Sequence, residues 1–256
     1  MKKFLYILLL LLLLTGCNKI TPNNFYDIIK AYPHNKELLN EYEKVYKETN
    51  NIIYSINKVN YPTFLKPNST NYKAFEHNNI FFVNTNYKLS KTYIPKDLIE
   101  IKNVYYIKRT NQKMMINQEV LSAYTDLFTE ALLNNLELTI FSAYRSYEYQ
   151  ESLYNKEDNS YIAKPGTSEH QTGLAIDIST KKTGLTSFFE NTLEYTWLSN
   201  NAYKYGFIKR YPKDKEHITG YPFESWHYRY VGKEIAEIIY NNNLTLEEYF
   251  YQYIIL

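Results

Sequence analysis

The stretch SEHQTGLAID, from Ser168 to Asp177, and the shorter stretch ESWH, from Glu224 to His227, organise the rest of this chain. Within them, His170, Asp177 and His227 offer a nitrogen, an oxygen and a nitrogen donor. Three protein ligands of this kind hold a catalytic zinc ion and leave its fourth position open to water. The two stretches therefore predict a zinc (Zn²⁺) site at which distant parts of the chain meet.

Glu224 is a second carboxylate close to this predicted site. It stands three residues before His227 and is not needed as a ligand. A carboxylate beside a catalytic zinc ion is suited to take a proton from the attacking water. The pattern predicts a zinc hydrolase in which Glu224 is the catalytic base.

Three motifs in order resemble the VanY-type D-alanyl-D-alanine carboxypeptidases, a family of zinc metallopeptidases. The motifs are SAYRS from Ser142 to Ser146, PGTSEHQTGLAID from Pro165 to Asp177, and ESWHYRY from Glu224 to Tyr230. The resemblance runs from about Asn84 to the C-terminus. It implies proteolysis in cell-wall remodelling: removal of the C-terminal D-alanine from peptidoglycan stem peptides, with either D,D or L,D specificity.

The same resemblance implies substrate contacts for Arg145 and Gln150, and we expect Ser168 to help them hold the substrate. A guanidinium group matches both oxygens of a carboxylate with paired donors in one plane, so Arg145 suits the C-terminal carboxylate of a substrate. From the sequence alone, a surface salt bridge is an equal alternative for Arg145, and the resemblance favours the substrate. Trp226 is either core packing or a wall of the substrate pocket.

Two other functions stay open at this point. One is an endopeptidase that cuts peptidoglycan cross-links, which needs a pocket open at the carboxylate end. The other is a zinc-dependent binding protein without turnover. The presence of both Glu224 and Arg145 favours catalysis over binding alone.

The N-terminus has the pattern of an export signal. Two lysines precede an apolar run from Phe4 to Leu14, which is shorter than the ~20 residues of a membrane-spanning helix. Leu14 to Cys17 resembles a bacterial lipoprotein box, in which Cys17 carries the lipid. An uncleaved anchor or an ordinary signal with an incidental cysteine is disfavoured, because Cys17 is the only cysteine of the chain. We expect a lipid-anchored protein on the extracytoplasmic face of a bacterial membrane.

Composition narrows the remaining possibilities. The chain has 29 basic and 27 acidic side chains and a net charge of +2. A nucleic-acid binder would show a basic patch or stripe, so no nucleic-acid partner is expected. With a single cysteine no intramolecular disulfide can form, and stability must come from the core. We expect a monomer whose partners are peptidoglycan stem peptides and the membrane.

The chain divides by pattern into four segments. They are a signal peptide with its lipobox (1–17), a polar tether (18–34), a mixed appendage (35–83) and the carboxypeptidase domain (84–256). The expected fold is α+β, a small antiparallel sheet flanked by helices, with the zinc site at the sheet. In the appendage, Leu38 to Tyr46 have helical spacing behind Asn35, whereas 50–83 shows only weak alternation. His34 and His77 are interpreted as surface histidines.

Stronger patterns define the elements of the last segment. They predict a core helix from Val120 to Leu132 capped by Asn117, a strand up to Ile140, a helix over Tyr147 to Tyr154 capped by Ser146, a strand from Leu174 to Ile178, a helix from Leu193 to Tyr205 ended by Gly206, a strand over 225–231 and a last helix opened by Thr245. Trp197 is predicted to lie in the core and His217 in a solvated charged loop.

The spacing of the first two ligands requires an irregularity. His170 and Asp177 are seven residues apart. On one regular strand an odd separation points two side chains to opposite faces. We therefore predict a bend or bulge at Thr172-Gly173, where glycine permits it.

The lipid anchor gives a first testable prediction. Cys17→Ser should release the protein from the membrane or mislocalise it, because a serine at this position cannot accept the thioether-linked lipid on which anchoring depends. Fractionation of cells that express each form measures this. Unchanged membrane retention of Cys17→Ser would point to a spanning segment instead.

Overall fold

The computed structural model describes residues 24–67, 72–77, 80–108, 113–156 and 162–254. They belong to two compact units, one that ends at Tyr61 and one from Pro62 to Ile254. The predicted signal peptide, Cys17 and residues 18–23 of the predicted tether lie outside the described residues. Within the described ranges, no helix has both the length and the apolar character needed to cross a membrane.

The first unit is helical. Its elements are α1 (Phe25–Ile29), a 3₁₀ helix (Lys36–Leu38), α2 (Leu39–Thr49) and α3 (Ile52–Asn60). The helix predicted behind Asn35 is present, and the Asn35 side chain accepts a hydrogen bond from the backbone of Glu37. A small core is formed by Phe25, Ile29, Tyr42, Ile52 and Ile56.

Two parts of this unit differ from the sequence prediction. Residues 25–29 of the predicted tether form α1, because Asn24 caps the helix and Phe25 and Ile29 are buried. The weakly alternating stretch after Asn50 forms α3, capped by Asn51. Ile52 and Ile56, four residues apart, lie on one buried face, so the helical spacing outweighs the alternation.

The described residues of the second unit form ten short strands. They are β1 (Tyr72–Lys73), β2 (Phe75–His77), β3 (Ile80–Phe82), β4 (Tyr87–Lys88), β5 (Leu98–Glu100), β6 (Met115–Asn117), β7 (Thr139–Ser142), β8 (Ala175–Ser179), β9 (Phe207–Lys209) and β10 (His227–Tyr230). β1 pairs with β4 in parallel, and β2 with β3 and β5 with β6 antiparallel. The remaining four strands form the central sheet in the order β7-β8-β10-β9.

All strand pairs of the central sheet are antiparallel. β8 is buried along its whole length. The unit also contains the helices α4 (Gln118–Leu133), α5 (Tyr147–Tyr154), α6 (Leu193–Asn201), α7 (Glu216–Thr219), α8 (Lys233–Asn241) and α9 (Leu246–Tyr253). The predicted α+β class with a small antiparallel sheet and flanking helices is confirmed.

Helix α4 and the central sheet share the main core. Val120, Tyr124 and Leu127 on α4 are fully buried and belong to one cluster with Ile176 and Ile178 of β8. Burial of such side chains is the main favourable term in folding. The predicted caps Asn117 and Ser146 accept backbone hydrogen bonds, and Thr245 and Glu248 form the predicted capping box.

The predicted boundary between 83 and 84 differs from the observed division at Tyr61. Phe75 and Phe82 have ring contacts with Phe250, with centroid distances of 5.5 and 4.7 Å. These contacts place the strands before residue 84 in the second unit. The sequence pattern of 50–83 was too weak to show this pairing with the last helix.

Three smaller predictions also differ in detail. The helix predicted from Leu193 to Tyr205 is α6 followed by a 3₁₀ helix, and left-handed Gly206 ends it as expected. His217 is exposed as predicted but lies in the short helix α7 and not in a loop. Trp197 packs against the core while remaining half-buried.

The chain bends between the first two predicted ligands. His170 lies in a 3₁₀ helix (Glu169–Thr172) that ends at Gly173, whose φ of 72° is left-handed. A Cβ at this position would lie 3.0 Å from Leu98 Cδ2. The bend occurs where the sequence predicted it. Because His170 lies in a 3₁₀ helix and not on a strand, the strand alternation behind the argument from the seven-residue spacing does not apply to it.

Candidate metal centre

Three side chains of the second unit converge beside the central sheet. His170 comes from the 3₁₀ helix, Asp177 from β8 and His227 from the start of β10. The register of β8 and β10 sets His227 directly opposite Asp177. All three residues are buried, and one donor atom of each lies within 4.8 Å of the others. The structure thus brings together the three predicted ligands.

The two nitrogens of His170 have different surroundings. Nδ1 lies 2.6 Å from the carbonyl oxygen of Ala143, so it carries the proton and donates it. Nε2 lies 3.3 Å from Asp177 Oδ2, yet among the described residues it has no hydrogen-bond partner. A buried lone pair without a donor is costly unless it binds a cation. This nitrogen therefore fits a metal ligand.

The ring of His227 is fixed on three sides. Its Nδ1 lies 3.1 Å from Asp177 Oδ1 and 3.7 Å from Glu224 Oε2, while its Nε2 lies 3.4 Å from Glu169 Oε2. Tyr211 stacks on the imidazole at a centroid distance of 4.8 Å. His227 therefore presents Nδ1 to the cluster.

Burial and neighbouring charges set the protonation of the donors. Burial, with the nearby Arg145 charge, lowers the pKa of His170 to about 4. Burial would raise the pKa of Asp177, but the two histidines outweigh it and hold that pKa well below its usual range. Burial would lower the pKa of His227, but hydrogen bonds to Asp177 and Glu169 raise it to about 9. The cluster therefore holds a carboxylate and a neutral imidazole, and its second imidazole must release a proton to bind a metal.

Glu224 lies at the edge of the cluster. Burial raises the pKa of its carboxyl group to about 7, against the charges of His227 and Arg145, which lower it. The Glu224 side chain is 16% exposed, whereas the Glu169 side chain is fully buried. A carboxyl group with a pKa near neutrality and access to solvent can both accept and return a proton at pH 7.

The cluster opens into a cavity of about 300 Å³. The four residues predicted to contact substrate, Arg145, Gln150, Ser168 and Trp226, line this cavity together with the three cluster residues and Glu224. Arg145 Nη2 donates to Ser168 Oγ at 3.4 Å, and Gln150 Nε2 donates to the carbonyl of Ala163 at 2.7 Å. Arg145 Nε and Gln150 Oε1 have no hydrogen-bond partner among the described residues. Two residues that line the cavity thus each have a buried polar atom with unused hydrogen-bonding capacity.

Comparison with known proteins shows the family to which the chain belongs. A family model described as D-alanyl-D-alanine carboxypeptidase, VanY, matches residues 113–233. The putative carboxypeptidase YodJ of Bacillus subtilis (strain 168) is 43% identical over 183 residues, which are 68% of this chain and 67% of that protein. The chain belongs to the VanY family. It is therefore a metallopeptidase, as the three motifs predicted.

Solved structures agree with the family assignment. The LdcB LD-carboxypeptidase has 39% sequence identity and a TM-score of 0.64, over 71% of this chain and 94% of that one. A vancomycin resistance D,D-pentapeptidase VanY in complex with Zn(II) has 34% identity and a TM-score of 0.55, over 66% and 96%. Residues 1–18 match a prokaryotic membrane lipoprotein lipid attachment site.

A set of buried charges behind the cluster was not predicted from the sequence. They are Glu169, Arg210, Arg229 and Glu247, all fully buried and joined by hydrogen bonds. For Arg229 a signal existed, because it lies two residues after His227 on one strand and so shares its face. Tyr211, which stacks on His227, was also missed.

The remaining histidines are not members of the group formed by His170, Asp177 and His227. His34 lies in the first unit, where its Nδ1 contacts the carbonyl of Tyr32. His77 lies in β2, and His217 is exposed on α7. Among the described residues, the group able to hold a metal contains His170, Asp177 and His227.

The raised pKa of Glu224 predicts a pH dependence for the metal-free protein. The folded protein holds this proton more tightly than the unfolded chain, in which the pKa of the glutamate is near its ordinary value of 4.5. The stabilisation is therefore complete below that pH and is lost as pH rises through the folded value of about 7. Relative to Glu224→Gln, the unfolding free energy of the wild type should fall by about 1 to 3 kcal/mol over this range.

Urea unfolding of both chelator-treated proteins, from about pH 4 to about pH 8, measures this difference. Both proteins keep the other members of the cluster, so the difference reports Glu224 together with its electrostatic coupling to His227. A difference that stays constant with pH would contradict the assigned pKa.

Proposed function

We propose that this VanY-family protein is a zinc-dependent carboxypeptidase that removes the C-terminal D-alanine from peptidoglycan stem peptides. The observation that carries the proposal is the presence of the His170, Asp177 and His227 cluster, Glu224 and Arg145 around one cavity. The relatives support the substrate class, since one is an LD-carboxypeptidase described in terms of peptidoglycan recognition and another is a D,D-pentapeptidase.

The donor set fits zinc. Two imidazoles and one carboxylate are among the ligands that zinc accepts at catalytic sites, and His170 Nε2 is a buried nitrogen that lacks a hydrogen bond. Zinc bound by His170, Asp177 and His227 would polarise the scissile carbonyl and lower the pKa of the attacking water. The Zn(II) complex of a VanY relative supports the choice of metal.

Glu224 would move the proton of the reaction. It takes a proton from the water as the oxygen attacks the carbonyl carbon, and returns it to the amine nitrogen when the C–N bond breaks. Its carboxyl group, with a pKa near 7, lies 3.7 Å from His227 Nδ1 and is not needed for coordination. This position and this pKa suit a group that serves first as base and then as acid.

Arg145 would hold the terminal carboxylate of the substrate. Its Nε is a buried donor without a partner among the described residues, and Ser168 and Gln150 lie in the same cavity. A charge-assisted pair of hydrogen bonds to a free carboxylate would fix the last peptide bond next to Glu224. Trp226 would form an apolar wall of the pocket. This arrangement favours an exopeptidase over an enzyme that cuts cross-links.

We infer that the catalytic domain is the second unit and that Cys17 anchors it by lipid on the extracytoplasmic face of the membrane. The lipid attachment match at residues 1–18 supports the anchor. Peptidoglycan lies outside the cell membrane, so an exported and tethered enzyme would meet this substrate. The Cys17→Ser fractionation described above tests the location.

The direct test of the function separates the base from the ligands. Protein lacking residues 1–17 should hold about one zinc ion per chain, in keeping with a single three-ligand site, and release alanine from defined stem peptides ending in D-Ala-D-Ala or L-Lys-D-Ala. Glu224→Ala should keep the zinc and lose kcat by a factor of about 10² or more, because proton transfer is lost without a ligand. His227→Ala should lose the metal itself. Metal analysis and product masses measure both, and near wild-type turnover by Glu224→Ala would refute its role.

The carboxylate contact of Arg145 gives a separate prediction. Arg145→Ala should retain zinc but lower kcat/KM for free-acid peptides by about 2 to 5 kcal/mol of transition-state stabilisation, as for a buried charge-assisted contact. The same peptides with an amidated C-terminus should be affected far less, since they carry no charge for the guanidinium. Equal losses on acid and amide would contradict the assignment, and so would efficient cleavage of the amide by the wild type, which would favour an endopeptidase.

A further inference from the structure

A fully buried network of four charged side chains lies behind the metal centre. Arg210 Nη1 and Nη2 donate to the two oxygens of Glu247 at 2.8 and 2.6 Å, and Arg210 Nε donates to Glu169 Oε1 at 2.8 Å. Arg229 Nη1 donates to the same Glu169 oxygen at 3.0 Å. Two arginines and two glutamates balance in formal charge, as buried charges must.

The two oxygens of Glu169 are used differently. Oε1 accepts from both Arg210 and Arg229, whereas Oε2 faces His227 Nε2 at 3.4 Å, the long end of hydrogen-bond distances. The other nitrogens of Arg229 donate to the carbonyls of Tyr230 and Phe81. The arginines therefore hold Glu169 in place and leave one of its oxygens for the imidazole.

We propose that Glu169 is a positioning residue that fixes His227 with the proton on Nε2 and thereby keeps Nδ1 available as a metal ligand. An imidazole that donates from one nitrogen presents a lone pair on the other, and the hydrogen bond also orients the ring. His170 has the mirrored arrangement, with Nδ1 donating to the Ala143 carbonyl and Nε2 toward the cluster. The inference rests on the proposed metal function of the site.

A purely structural role is the competing explanation, since any member of a buried charge network affects stability. Glu247 provides the matched control. It is as buried as Glu169 and pairs with the same Arg210. Among the described residues its side chain accepts hydrogen bonds from Arg210 and Asn84 and contacts no histidine. Replacing either glutamate by glutamine removes one negative charge from the same network and keeps the side-chain shape.

The experiment compares Glu169→Gln and Glu247→Gln with the wild type in the full chain. Zinc affinity is measured by competition with a chromogenic chelator, and stability by urea unfolding of the metal-free proteins. Glu169→Gln should bind zinc about 10- to 100-fold more weakly, as is typical when the partner of a ligating histidine is lost. Glu247→Gln should keep zinc affinity within about threefold of the wild type, a smaller loss than is typical when a ligating histidine loses its partner. This should hold even if Glu247→Gln lowers the unfolding free energy as much as Glu169→Gln does. Wild-type affinity in Glu169→Gln, or an equal loss in Glu247→Gln, would overturn the inference.

A second measurement covers the case in which Glu169→Gln does not fold. Nitrogen-15 NMR of the histidines in the zinc-loaded wild type should show His227 protonated on Nε2 and bound through Nδ1. The opposite assignment would overturn the inference while leaving the metal site intact. A wild type that binds no zinc would instead refute the proposed function, and the inference with it.

Discussion

The antiparallel pairing of β8 with β10 is the constraint on which the site depends. It sets His227 opposite Asp177, so backbone hydrogen bonds of the sheet hold together two side chains that are 50 residues apart in the chain. Directly opposed residues on neighbouring strands have their Cβ atoms about 5 Å apart, which suits a shared ion. The sheet in turn is fixed by the packing of α4 against β8. The geometry of the site is thus a consequence of the core.

The buried polar groups around His227 lose their hydration, and this cost must be offset by ion pairs and hydrogen bonds. An ionised side chain taken out of water loses several kcal/mol unless it is paired and hydrogen-bonded. Glu169 meets this condition, because Arg210 and Arg229 outweigh the effect of burial and keep the pKa of its carboxyl group low. The two arginines are neutralised in the same network, which extends through Glu247 to Asn84. A hydrogen-bonded set of buried charges therefore lies on one side of His227, which Glu169 contacts.

The elements that depend on local sequence could be predicted. Caps such as Ser146 and the Thr245 box act on their own backbone, and the stripe of α4 has a clear period, so these elements could be predicted. Pairings between distant residues could not be predicted, because periodicity does not report them. Arg210 meets Glu169 and Glu247 across 41 and 37 residues. The packing of Phe75 and Phe82 against the last helix, which moves the observed boundary to Tyr61, is of the same kind.

Three carboxyl groups around His227 illustrate how surroundings alone assign different chemistry to one functional group. Asp177 is buried against the two histidines and Glu169 against two arginines, and these neighbours hold the pKa values of both carboxyl groups below the usual range and keep them charged. Glu224 is buried without a hydrogen-bonded cation, so burial dominates and its pKa rises to about 7. Groups whose environments push their pKa values apart separate into permanent charges and proton carriers. On this physical ground Asp177 suits a ligand, Glu169 a holder of the imidazole and Glu224 the carboxyl group that exchanges protons.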